Sequence, residues 1–189
     1  PIHREAGGAP GWWGSSLLLV ADGTFFTSLV FGYAFLWVIA PNWPPPAQMD
    51  GGVLPGMIAA VAALGGIILA YRAHTTVRTG ALAAAKRVVL LAGGAQVIVI
   101  AALIAIGVTA LPLPTSHAYA AASWALIIYA GFHAFLALFG AAFLHARIGA
   151  GYVSVARSQE ATIAQMFAAY AGAVTILVLL CLFLPEMLA

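Results

Sequence analysis

Five long apolar stretches, separated by short clusters of proline, glycine and charge, take up most of this 189-residue chain. They run over residues 12–40, 53–71, 88–111, 119–144 and 161–184. The hydrocarbon core of a bilayer is about 30 Å thick, which takes roughly 20 apolar helical residues to cross. Each stretch meets or approaches that length, so the pattern predicts five transmembrane helices. Helices are required because lipid offers backbone N–H and C=O groups no partner, and the runs are too long and continuous for barrel strands. The breaks carry residues that stop helices. Pro41, Asn42, Trp43, Pro44, Pro45 and Pro46 follow the first stretch, and Pro112 and Pro114 follow the third, since proline cannot continue a helix. Small residues recur every four positions in the second span (Ala62, Gly66, Ala70) and the fifth (Ala164, Ala168, Gly172). They are either a close-approach stripe between helices or a by-product of alanine richness. No internal repeat is visible, so residues 1–189 read as one domain.

Composition removes the soluble alternatives. Hydrophobic residues make up 64% of the chain and charged ones 6%, with a mean hydropathy of +1.06, whereas soluble domains carry roughly a quarter charged residues. A soluble globule of this size could not hide so much apolar surface. A net charge of +2 is too small for a nucleic-acid partner. The first apolar stretch is too long for a signal peptide, and an opening Pro1 in place of Met is expected of a chain that is processed or part of something longer.

The few charges orient the bundle. Arg4 precedes the first span, Arg72, Arg78, Lys86 and Arg87 fall between the second and third, and Arg147 and Arg157 fall between the fourth and fifth. The opposite side holds only Asp50 and Glu186. The positive-inside rule then places the amino terminus in the cytoplasm and the carboxyl terminus outside. Trp12, Trp13, Trp37, Trp43 and Tyr71 fit aromatic belts at the two interfaces.

Candidate chemistry is sparse. Asp22 is the one acid well inside a span, about 15 Å along the first helix. An ionised Asp at the bilayer centre costs about 2.5–3.5 kcal/mol on insertion scales, so it should face protein or water. It could relay protons, be a neutral acid bonded to a neighbouring helix, or bind a polar ligand. Phe25, Phe26 and Leu29 are its apolar helical neighbours. His133 is the one mid-span histidine; His74 and His145 sit at helix ends, and His3 and His117 lie outside the spans. One membrane-depth imidazole makes no bis-histidine haem site. The single Cys181 and the histidine spacings offer no zinc or copper set. Neither a nucleophile elbow nor a phosphate loop is present, so the chain is expected to hold no catalytic residue and no metal of its own. The cations at the cytoplasmic helix ends, with Arg72, His74 and Arg78 foremost, either clamp the phosphate of an anionic lipid or serve topology and solvation.

Several segments together resemble subunit III of haem-copper cytochrome c oxidases. Ala21-Asp22-Gly23-Thr24-Phe25-Phe26-Thr27-Ser28-Leu29, continuing to Trp43-Pro44-Pro45, is similar to the family's acid, Phe-Phe helix and Trp-Pro-Pro loop. Ala73-His74 resembles its Ala-His pair, and Gly131-Phe132-His133 running into Gly140 resembles its Gly-Phe-His segment. Gly11-Trp12-Trp13-Gly14 and Phe31-Gly32-Tyr33 with Leu36-Trp37 look closest to the form fused behind subunit I. Two features depart from the family. Its membrane acid is usually Glu rather than Asp, and its last helix usually carries Trp-His-x-x-Asp where this chain reads Phe167-Ala168-Ala169-Tyr170-Ala171-Gly172-Ala173.

The resemblance implies a non-catalytic, multi-pass subunit or domain in a bacterial cell membrane. It would stabilise subunit I, hold structural phospholipid and support proton uptake by a proton-pumping respiratory oxidase. Subunit I (fused upstream or separate) and subunit II would be the partners, with haem and copper held there and none here. Asp22 would be the buried acid, His133 a buried polar residue, and Arg72, His74 and Arg78 lipid contacts. The corresponding subunit of a quinol oxidase is the alternative within the family, and a stand-alone transporter the alternative outside it.

Overall fold

The computed structural model describes residues 10–40, 43 and 50–188. It is all-helical: α1 (Pro10–Ile39), a 3-10 turn (Asp50–Gly52), α2 (Val53–Arg78), α3 (Leu82–Ala110), α4 (Ala118–Gly149) and α5 (Gln159–Leu188). All five α-helices are long and apolar enough to cross a membrane. Arg4, His3, Pro41, Asn42 and the Pro44-Pro45-Pro46 run lie outside the described residues, as do the side chains of Asp50 and Glu186.

The helices outrun the apolar stretches that predicted them, chiefly at the basic end. Arg72 and Arg78 lie inside α2, Lys86 and Arg87 inside α3, and Arg147 inside α4. Hydropathy stops at the first cation, but nothing about a long cationic side chain stops a helix, and such ends can protrude into the headgroup region. Termination is set instead by glycine. Gly80 (φ 82°) and Gly151 (φ 75°) adopt the left-handed conformation just past α2 and α4. Each closes a Schellman turn: Ala81 N–H donates to Thr76 O and Gly80 N–H to Val77 O, while Tyr152 N–H donates to Arg147 O and Gly151 N–H to Ile148 O. Only three residues, 79–81, therefore separate α2 from α3.

α2 packs on α3 and α5, and α4 packs on the same two helices, so these four close a ring. α1 lies outside it, against α4 and α5. The ring is lined with alanine: Ala59, Ala63, Ala70, Ala73, Ala85, Ala130, Ala134 and Ala137 are all buried. Between helices in lipid, close backbone approach supplies the packing that the hydrophobic effect supplies in water. The repeated small residues divide in use. Gly172 of α5 meets α2, where an added Cβ would lie 2.5 Å from Ile67, whereas Gly66 of α2 turns to α3 and makes room for the buried Gln96. Bulky side chains such as Leu17, Phe31, Val61, Val108 and Phe139 cover the outer surface, as a lipid solvent permits.

One aromatic departs from the expected belts. Trp43 is buried, edge-on to Tyr33 at 5.1 Å and to Tyr119 at 5.0 Å. Its ring thus sits between Tyr33 of α1 and Tyr119 of α4.

Candidate functional site

Midway along α1, Asp22 turns toward α4 and α5. Its Oδ2 lies 2.9 Å from His133 Nε2, and it accepts hydrogen bonds from Tyr129 Oη at 2.5 Å and Tyr170 Oη at 2.6 Å. The two phenols are 3.0 Å apart, and Tyr129 Oη also lies 3.2 Å from the Asp22 carbonyl oxygen. Tyr129 and His133 are one helical turn apart on α4, so they share a face. Tyr170 comes from the middle of α5. Three helices thus meet on one carboxylate oxygen, at a depth where each polar group needs a protein partner.

The hydrogen bonds restrict where the protons are. His133 Nδ1 lies 2.8 Å from the Tyr129 carbonyl oxygen. A carbonyl only accepts, so Nδ1 carries the hydrogen of that bond. A bond between Nε2 and Oδ2 then needs one more proton, on either atom. In both placements the Asp22–His133 pair is neutral overall, being either carboxylate with imidazolium or carboxylic acid with imidazole. Neutrality removes the cost of a net charge at the centre of a bilayer.

Apolar rings close the site unevenly. Phe26 is buried and stacks on Tyr129 at 5.0 Å with an interplanar angle of 5°. Phe25, its neighbour, is 57% exposed and touches Tyr129 only at a tilt. His133 is 5% exposed, but the Asp22 side chain keeps 28% of its surface open on the outer side of the bundle. The cluster is therefore covered from within and open toward whatever lies beside α1.

The other sequence candidates sit elsewhere. His74 Nε2 lies 3.2 Å from Thr162 Oγ1, tying α2 to α5. Arg72 and Arg78 are exposed. At 100° per residue His74 and Arg78, four positions apart, share one face of α2, while Arg72 leaves the helix about 160° from His74 and about 120° from Arg78. At the same end, Arg147 pairs with Glu160 (Nε–Oε2 3.0 Å) and lies 4.4 Å over the Tyr152 ring, binding α4 to α5. His145 Nδ1 lies 3.2 Å from the Lys86 carbonyl oxygen and binds α4 to α3.

Two residues of the central cluster, Tyr129 and Tyr170, did not stand out in the sequence. The available signal was Tyr129 one turn before the mid-span histidine. Tyr170 lies in the very stretch that departs from the Trp-His-x-x-Asp pattern, and it supplies a polar contact from α5 there. Among the described residues, no three of His, Cys, Asp and Glu come together as a metal-binding group, and the site is built as a hydrogen-bonded acid. No protein-family model matches the chain, and no curated protein matches it.

Proposed function

We propose that this chain is a non-catalytic subunit III, or subunit III-like domain, of a proton-pumping haem-copper cytochrome c oxidase. Its basic helix ends and amino terminus face the cytoplasm of a bacterial cell, and its carboxyl terminus faces outward. Its work is mechanical and dielectric. The bundle braces subunit I, solvates structural phospholipid and supports proton uptake, while haem and copper act in subunits I and II. The observation that carries this reading is the meeting of Asp22 with His133 at 2.9 Å. The two residues belong to separate segments that resemble that family, and they lie more than a hundred positions apart. A second support is the pairing of that acid, among the described residues, with tyrosine and histidine partners alone, which suits a structural acid better than a relay with further carboxylates in series.

The test is to purify the native assembly in mild detergent and record its visible spectrum. Haem bands co-purifying with this chain are expected, and a colourless, monodisperse protein would refute the proposal. Within the assembly, Asp22→Ala should leave haem content unchanged while shortening the number of turnovers before inactivation. Loss of haem in that variant would mean that the role assigned to Asp22 is wrong.

A further inference from the structure

A groove of about 460 Å³ runs between α3 and α4 on the outside of the ring. Its floor is made of small residues, Gly93 and Gly94 on α3 and Ala141 and Ala142 on α4, and His145 stands at its basic end. Among the described residues, no carboxylate lines it. Nothing lies within 4 Å of a Cβ built on Gly94, so the depression there is open to the membrane.

Cations gather where the groove meets the headgroup region. Arg87 is exposed and starts the stripe Arg87, Leu90, Gly94, Val97, whose spacing follows one face of α3 down the groove. Lys86 reaches over the last turn of α4, with Nζ 3.1 Å from the point a Cβ on Gly149 would occupy. His145 donates through Nδ1 to the Lys86 carbonyl oxygen, which leaves Nε2, on the far side of the ring, as the atom available to a phosphate oxygen when both ring nitrogens are protonated. A comparable groove between α2 and α5, of about 420 Å³, is lined by Val53, Gly56, Met57, Phe183 and other apolar residues with no cation among them.

We infer that the α3–α4 groove is a binding site for one anionic phospholipid. An acyl chain lies along the Gly93–Gly94 and Ala141–Ala142 floor, and its phosphate is held by Lys86, Arg87 and His145. The inference deepens the phospholipid role proposed above and rests on it only for placing the basic end at the anionic leaflet. It also assigns the lipid to side chains other than Arg72, His74 and Arg78.

The experiment uses the full chain in its native assembly, exchanged into phosphatidylcholine nanodiscs with limiting phosphatidylglycerol, and counts retained lipids by native mass spectrometry. The wild type should keep one phosphatidylglycerol that Gly94→Phe, which fills the groove without a backbone clash, does not. Gly65→Phe, at another site with nothing within 4 Å of its Cβ, should keep it. Each Lys or Arg near an anionic surface contributes roughly a fivefold preference, so Lys86→Gln with Arg87→Gln should lower selectivity over phosphatidylcholine about 25-fold. Retention at the wild-type level in Gly94→Phe, or undiminished selectivity in the double variant, overturns the inference. Should Gly94→Phe fail to fold, the double variant at the exposed helix end decides alone. Haem in the same samples reports separately on the oxidase proposal: selective lipid retention by a haem-free preparation supports this site and refutes that function.

Discussion

Removing the acid at the centre of the three-helix cluster should cost less than its number of hydrogen bonds suggests. In Asp22→Ala the backbone carbonyl of residue 22 survives, so Tyr129 Oη keeps an acceptor now 3.2 Å away. Tyr170 Oη keeps Tyr129 Oη, 3.0 Å away. Only His133 Nε2 loses its partner outright. One orphaned buried polar group costs about 1–3 kcal/mol, and side-chain hydrogen bonds within membranes average about 0.6 kcal/mol. The expected loss is therefore about 2 kcal/mol, below the roughly 3–5 kcal/mol of a broken buried ion pair with no fallback. Equilibrium unfolding by sodium dodecyl sulfate in mixed micelles, followed by circular dichroism, measures it. A double-mutant cycle with His133→Leu isolates the pair, since removing the imidazole removes the orphan. The cycle should give a coupling of about 1–2 kcal/mol. Additivity within about 0.5 kcal/mol would refute the argument that His133 is the group stranded by loss of the acid.

Packing supplies a second prediction. A Cβ on Gly107 would lie 2.6 Å from the Trp124 ring, which is held in place by donation from Nε1 to the Pro112 carbonyl oxygen at 2.9 Å. Gly107→Ala should destabilise by about 1–3 kcal/mol in the same unfolding assay, whereas Gly94→Ala, with open space around it, should be neutral or mildly stabilising. The Arg147–Glu160 pair is half-exposed at the bundle rim, so Glu160→Gln should lower stability only slightly and by an amount that shrinks as salt is raised.

Hydropathy made the five helices legible because the bilayer imposes a length and forbids unpaired backbone. It misplaced their ends because a count of apolar residues stops at Arg72, while the helix runs on until Gly80 can turn left-handed. Asp22 and His133 were each visible as polar residues at membrane depth. Their contact was not visible from residue types, since it depends on how α1 rotates against α4. Tyr129 and Tyr170 were concealed for a different reason. A tyrosine ring counts toward an apolar span, and only the geometry reveals that its hydroxyl is used inside the bundle. Trp43 looked like an interface residue by its position after a span, but its ring is buried against Tyr33 and Tyr119. The α3–α4 groove was invisible for the opposite reason: its floor consists of glycine and alanine, whose contribution is the space they leave.

That α4 and α5 are the helices α1 packs against among the described residues has a consequence for biogenesis. The ribosome makes Asp22 107 residues before Tyr129, which at about 5–20 residues per second is a delay of roughly 5–20 s. Through that interval the newly inserted first helix carries its acid without the donors of its final home, and it waits beside the translocon as an unclasped latch. The last helices to emerge are the ones that fasten the first. A polypeptide truncated before Tyr170 would leave that latch undone and offer the membrane's quality-control proteases a ready mark of incomplete synthesis.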